Sequence, residues 1–225
     1  MASNADVCIF FDDDLKIKKQ TLVAYEEAIK EYGLKNFYGG PLIPDYEIVP
    51  EPWLSTYLPA SAKGFYFDDG QHLISAPYFL GGNHAVPVEA LKRVGLYDFK
   101  GASGESNSGY LGEETRLQGK LSELGYQGIC VHKAEVYHFV PEENCSYRWL
   151  LKRRVRAGMT EADKIKSESV NILGVPRWVI QAYFKNFLKT WLAILTLKSK
   201  EFIAPSELKV HYYKGVLLKC LGIYS

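Results

Sequence analysis

The first pattern along the chain is an unbroken apolar run, Val7–Phe11. Such a run reads as a strand covered on both faces, and a strand of that kind needs neighbours on each side. Only six residues precede it, so those neighbours come from later in the chain or from elsewhere. Leu22, Tyr25, Ala28, Ile29 and Tyr32 recur at helical spacing, and Gly33 marks the stop. Residues 37–76 are rich in Pro, Gly and aromatics and keep no period; they read as a long irregular excursion holding short strands, uncommon unless functional. Pro77–Leu80 reads as a short strand leading into Gly81-Gly82-Asn83. Pro87 opens a short helix that turns Val88, Leu91 and Val94 inward and stops at Gly95. Residues 101–109 (GASGESNSG) form a loop by composition. A helix follows from about Glu113 to Leu124, with Leu117, Leu121 and Leu124 on one face and Gly125 as stop. Strands are expected at 126–132 and 135–140, and helices at about 146–157, 176–197 and 205–221. No internal repeat interrupts this order.

Composition narrows the class. The 225 residues carry a net charge of +1, and 47% are hydrophobic, which excludes a disordered tail. The balanced charge gives no footprint for nucleic acid. The length suits one domain with an appendage, and 16 Tyr, 11 Phe and 4 Trp can fill its core. Cys8, Cys130, Cys145 and Cys220 show no CxxC spacing, so free thiols in a reducing compartment are expected. The opening MASNADVCIFFDDD lacks a basic region followed by a long apolar stretch, so no secretory signal is expected and a cytoplasmic setting is.

Five constellations bear chemistry. Asp12-Asp13-Asp14 follows the apolar strand; in extended chain Asp12 and Asp14 point the same way and offer hard oxygen ligands to Mg²⁺ or Mn²⁺. The same triplet also reads as a turn and helix cap. Glu113 and Glu114 open a helix, where a carboxylate stays ionised and can act as general base; acids there are equally ordinary stabilisers. His138, between Tyr137 and Phe139, is either a metal ligand or a satisfied core residue. Arg148, Lys152, Arg153, Arg154 and Arg156 crowd one helix beside Trp149; they suit a diphosphate, anionic lipid or a solvated face. From Pro176 to Lys198 the chain is long enough to span a bilayer. Its stripe of Gln181, Lys185 and Lys189, flanked by Asn186 and Thr190, argues against spanning. The opposite face (Ile180, Phe184, Phe187, Leu188, Trp191, Leu195) suits a helix lying on a membrane, or one docked on its own domain.

In order, the segments are an apolar strand with DDD, then YGGP, FLGGNHAVPVEALKRVGLYD, GEETRL, AEVYHFVP and SYRWLLKRRVRAG. This order closely resembles the family 2 glycosyltransferases of the GT-A fold, over about residues 5–160. The resemblance implies an α/β protein with a partial GT-A (Rossmann-like) mixed sheet flanked by helices over 1–160; for 161–225 the helical pattern and the amphipathic stretch lead to the expectation of a helical, membrane-associated extension. It implies inverting transfer of a sugar from a nucleotide-sugar donor to a hydroxyl of a saccharide or lipid-linked acceptor, in polysaccharide or glycoconjugate synthesis. Asp12 and Asp14, with His138, match the metal-binding DxD site, and Asp13 matches an acid that touches the donor. Gly81, Gly82 and Asn83 match the loop lining the sugar pocket. Glu113-Glu114 match the acidic pair that carries the base, with Glu114 favoured. Trp149, Arg153 and Arg154 match a segment that closes over the diphosphate.

One departure is large. The family's domain begins with a nucleotide-binding half ahead of the DxD strand, whereas here that strand starts at residue 7. The expectation is a chain that binds donor weakly and works with a partner chain supplying that half, at the inner face of the cell membrane. A non-catalytic subunit is the alternative, and a metal-dependent hydrolase built on the same Asp/Glu/His set is a third.

Overall fold

The computed structural model describes residues 5–75, 79–95, 113–166, 171–172 and 174–223. The expected 101–109 loop, much of the expected strand from Pro77 and the Glu113 side chain lie outside what is described. The chain runs β1 (Val7–Phe11), β2 (Leu15–Ile17), α1 (Lys19–Tyr32), β3 (Asn36–Gly39), β4 (Leu42–Tyr46), α2 (Pro52–Ser55), α3 (Ala60–Lys63) and β5 (Leu73–Ile74). It continues through β6 (Asn83–Pro87), α4 (Val88–Arg93), α5 (Glu113–Glu123), β7 (Gln127–Cys130) and β8 (Val136–Val140). The last part holds α6 (Tyr147–Lys166), β9 (Asn171–Ile172), β10 (Val175–Pro176), α7 (Arg177–Leu195) and α8 (Lys200–Cys220).

These elements form two compact units. The described residues of the first fall in 5–48, 58–95 and 113–141. Its main sheet is mixed, in the order β1-β6-β3-β7-β5, with β3 and β7 parallel and the other neighbours antiparallel. Strand alternation sends Tyr38, Ala85 and Ile129 to one face, against Ala24, Tyr25 and Ala28 of α1. Phe37, Val86 and Cys130 go to the other, against Ala90, Leu91, Leu117 and Leu121 of α4 and α5. Strand β1 follows suit, with Ile9 and Phe11 on the first face and Cys8 and Phe10 on the second. Cover on both faces is the reason for its unbroken apolar sequence. Yet β1 is an edge strand: β6 is its one partner among the described residues, and all five residues stay half-buried. A small second sheet, β2-β8-β4, adjoins the chain leaving β1.

Four helices differ from their expected form. Helix α6 runs to Lys166, past the expected end near 157, and Leu124, expected on the inner face of α5, is exposed beyond its end. In α1 the buried stripe is Thr21, Ala24, Tyr25 and Ala28, while Leu22 and Tyr32 are exposed. Alanines let the helix approach the sheet closely enough for Tyr25 to reach β6, a contact that hydrophobicity alone does not signal. Helix α8 begins five residues before Pro205, because Ser199 caps it by accepting from the Phe202 N–H at 3.3 Å.

The second unit comprises 49–57 and the described residues from 142 onward. Helix α6 therefore belongs with the helical part instead of with the first 160 residues, because it packs along α8. The two helices meet through glycines: a Cβ on Gly158 would stand 2.0 Å from the Tyr212 carbonyl oxygen, and one on Gly215 2.0 Å from that of Val155. Two small cores lie alongside, Leu54–Leu150–Leu208 and Ala162–Val175–Val179–Val216. All four cysteines are free.

Candidate functional site

The site grows from the antiparallel pairing of β1 with β6. Phe11 stands opposite Asn83, so the acids leaving β1 lie beside the glycines entering β6. A Cβ on Gly82 would come 2.7 Å from Asp12 Oδ2, and one on Gly81 would come 3.4 Å from Glu114 Oε2. The two carboxylates thus flank one dipeptide that has no side chains. Glu114 is half-buried as the second residue of α5. One turn on, fully buried Gln118 donates from Nε2 to the Phe79 carbonyl at 3.1 Å and ties α5 to the segment entering the glycines.

The β2–β8 ladder builds a second pair. Leu15 is in register with His138, and the Phe139 N–H donates to the Asp14 carbonyl at 3.1 Å. That brings His138 Nε2 to 3.1 Å from Asp14 Oδ2. The imidazole is mostly covered, and its buried Nδ1 has no hydrogen-bond partner. Asp12 feels this pair: its carboxyl pKa is raised by burial first, then by the Asp14 charge, with His138 working the other way and Asp13 adding to the rise. Asp13 itself is exposed.

Asn83, expected at the sugar pocket, is buried with its amide fully engaged. Nδ2 donates to the carbonyls of Pro41 (2.9 Å) and Ala134 (2.7 Å), and Oδ1 accepts from the Tyr25 hydroxyl at 2.8 Å. This network pins β6 to α1 and to the turns on both sides. His84 is a residue that the sequence did not bring forward. Its buried ring stacks on Phe10 with centroids 4.8 Å apart, and Nδ1 lies 2.8 Å from the Gly81 carbonyl oxygen. Burial pushes its pKa down to about 4, so the ring is neutral and Nδ1–H donates. The only signal for it was a polar residue inside an apolar strand.

In the second unit, the Arg153 guanidinium lies 5.4 Å from the Trp149 ring. Its pKa is lowered by burial and then by Arg154 and Arg156. Arg154 Nε is buried without a partner. Among the described residues no carboxylate pairs with this cluster.

A divalent ion suits the first unit's donor set in chemistry, with two hard carboxylates whose mutual repulsion it would relieve and one imidazole. Among the described residues, however, no three Asp, Glu, His or Cys side chains form a ready ligand group. No family model and no curated protein matches the sequence.

Proposed function

We propose that the chain takes part in metal-assisted, inverting glycosyl transfer from a nucleotide-sugar donor to an acceptor hydroxyl, in the manner of the family 2, GT-A enzymes that its motifs resemble. One relationship carries the reading: Asp12 and Glu114 flank Gly81–Gly82, while Asp14 and His138 stand paired close enough for their charges to reach Asp12. Glu114 accepts the proton of the attacking hydroxyl. Gly81 and Gly82, having no side chains, let both carboxylates close onto the same dipeptide. Asp12, Asp14 and His138 would hold Mn²⁺ or Mg²⁺, which when bound offsets charge on the departing diphosphate. Asp13 contacts the donor; in the second unit, Trp149, Arg153 and Arg154 form a cationic surface suited to an anion. The working site is the cytoplasmic side of a membrane that carries polysaccharide or glycoconjugate synthesis.

The test is release of nucleoside diphosphate from a panel of nucleotide sugars with Mn²⁺ and saccharide acceptors. Glu114→Gln is expected to lower turnover by roughly 10²–10⁴-fold with diphosphate binding kept. Turnover untouched by that change, or no Mn²⁺-dependent diphosphate binding at all, overturns the proposal.

The edge of β1 that has no strand partner among the described residues favours a second reading, a subunit that pairs with a separate nucleotide-binding chain. Co-purification of such a chain, with turnover seen only in the complex, distinguishes it.

A further inference from the structure

Helix α7 has two apolar faces, and only one is used within its unit. Val179, Thr190 and Ala193 are buried, and the Thr190 hydroxyl donates to Ser206 of α8 at 2.9 Å. Thr190 therefore sits on the packed face, away from the polar stripe it was expected to flank. Opposite, Phe184, Leu188, Trp191 and Leu195 follow one another at intervals of four, three and four, a single helical stripe, and Phe187 and Leu192 broaden it. All six are 48–62% exposed. Contiguous apolar surface of this kind marks a contact with something outside the unit.

Charge identifies the occupant. Residues 177–200 contain Arg177, Lys185, Lys189, Lys198 and Lys200 and no acidic residue. Beside the stripe, a groove of about 660 Å³ combines Lys189 and Lys209 with Leu192, Phe202 and Pro205. Ammonium groups next to apolar surface, as in this groove and where Lys198 lies over the Phe202 ring, match the boundary of an anionic bilayer, where phosphate lies beside acyl chain. A second copy is a poor match, since its α7 brings the same unbalanced cations. Spanning is also excluded for α7, because no described helix is long and apolar enough to cross a membrane.

We propose that this outward face of α7 docks in the plane of an anionic membrane surface, with Phe184, Leu188, Trp191 and Leu195 entering the interface and the lysines facing lipid phosphate. The inference is independent of the transferase reading. It is tested by sedimenting the full chain with vesicles of phosphatidylcholine alone or with about one-third phosphatidylserine. Binding is expected to be at least about tenfold stronger to the anionic vesicles and to weaken with added salt. Combined Phe184→Ser, Leu188→Ser and Leu195→Ser is expected to abolish it with the helical circular dichroism unchanged. Lys185→Glu with Lys189→Glu is expected to remove the anionic preference. Equal or absent binding to the two vesicle types overturns the proposal, as does a dimer in solution that the triple serine variant dissociates.

Discussion

The Nδ1–H of His84 donates to the carbonyl of Gly81, three residues earlier and 2.8 Å away. This bond closes the turn that enters β6 and fixes the dipeptide between Asp12 and Glu114. His84 is thus a positioning residue, and its neutrality is part of the device, since charging the buried ring costs stability. Its folded pKa of about 4 lies below the ordinary 6.5, so the unfolded chain binds the extra proton between those values. Its contribution is complete above pH 6.5 and falls away toward pH 4, at up to about 1.4 kcal/mol per pH unit. Urea midpoints between pH 7 and 5 are expected to drop by an amount equivalent to about 2 kcal/mol, and His84→Gln is expected to flatten that part of the profile. An unchanged profile in the variant assigns the acid sensitivity elsewhere.

Asn83 gives a second expectation, one that separates structure from binding. Asn83→Ala removes the two Nδ2 donors and the Oδ1 acceptor; the Pro41 carbonyl keeps the Val136 N–H and the Tyr25 hydroxyl keeps the Asn83 backbone carbonyl, so the Ala134 carbonyl is the group that loses its partner. A loss of about 1–3 kcal/mol in unfolding free energy follows. Tyr25→Phe removes the hydroxyl that bonds both Oδ1 and the backbone carbonyl of Asn83, and is expected to cost about 1 kcal/mol. In a double-mutant cycle the two losses should be strongly non-additive; simple additivity means that the pair does not act as a unit.

Asp12 behaves in the opposite sense. Its raised pKa means that the folded state prefers it protonated, so ionisation opposes folding as pH rises above the ordinary carboxylate value. Asp12→Asn is therefore expected to stabilise the metal-free chain by up to about 1 kcal/mol, allowing for its partial exposure. The same change should remove Mn²⁺ binding. Thermal melting with and without Mn²⁺ checks both, and a destabilised metal-free variant refutes the repulsion on which this rests.

Much of this arrangement was legible in the sequence. The apolar run of β1, the strands β7 and β8 and the stripe Leu117–Leu121 in α5 follow directly from periodicity. Strand β3 did not stand out: Asn36–Gly39 borders a Pro- and Gly-rich stretch, yet it occupies the middle of the main sheet. Its Phe37 and Tyr38 serve opposite faces, which leaves no alternation to detect in four residues. In α1, Tyr25 and Ala28 of the expected stripe are buried, whereas Leu22 and Tyr32 are not, because close approach to a sheet favours alanine over leucine. The pairing of His138 with Asp14 depends on strand register, and the roles of Asn83 and His84 depend on carbonyls at Pro41, Ala134 and Gly81. Side-chain type records none of these. The triplet at 12–14 and Glu114 were visible as acids, but only the β1–β6 pairing sets Asp12 on the other side of the glycines from Glu114.

In the helical unit, Gly158→Ala and Gly215→Ala each thrust a methyl group to 2.0 Å from a backbone oxygen. Backbone cannot rotate aside as a side chain can, so α6 and α8 must separate. Each substitution is expected to destabilise that unit by about 3 kcal/mol. Differential scanning calorimetry checks this, and unchanged melting shows that the helices tolerate a wider spacing.

Gly82 offers the sharpest separation of site from scaffold. A methyl group there meets Asp12 Oδ2 at 2.7 Å, and its next neighbours are the Asp12 Cγ and a Leu15 methyl carbon at 3.2 and 3.4 Å. The obstacle is the free end of a half-exposed carboxylate, which can swing away at little energetic cost. Gly82→Ala is therefore expected to keep most of the stability and to displace Asp12, weakening Mn²⁺ binding by about tenfold, or roughly 1.4 kcal/mol. Gly81→Ala meets the Glu114 side chain at 3.3–3.4 Å, an ordinary to slightly tight contact. It should leave Mn²⁺ affinity intact and impair only steps that use Glu114. Isothermal titration of both variants with Mn²⁺ decides the matter. Equal effects from the two alanines mean that the dipeptide acts as one rigid spacer, and that the carboxylates on its two sides do not do separate jobs.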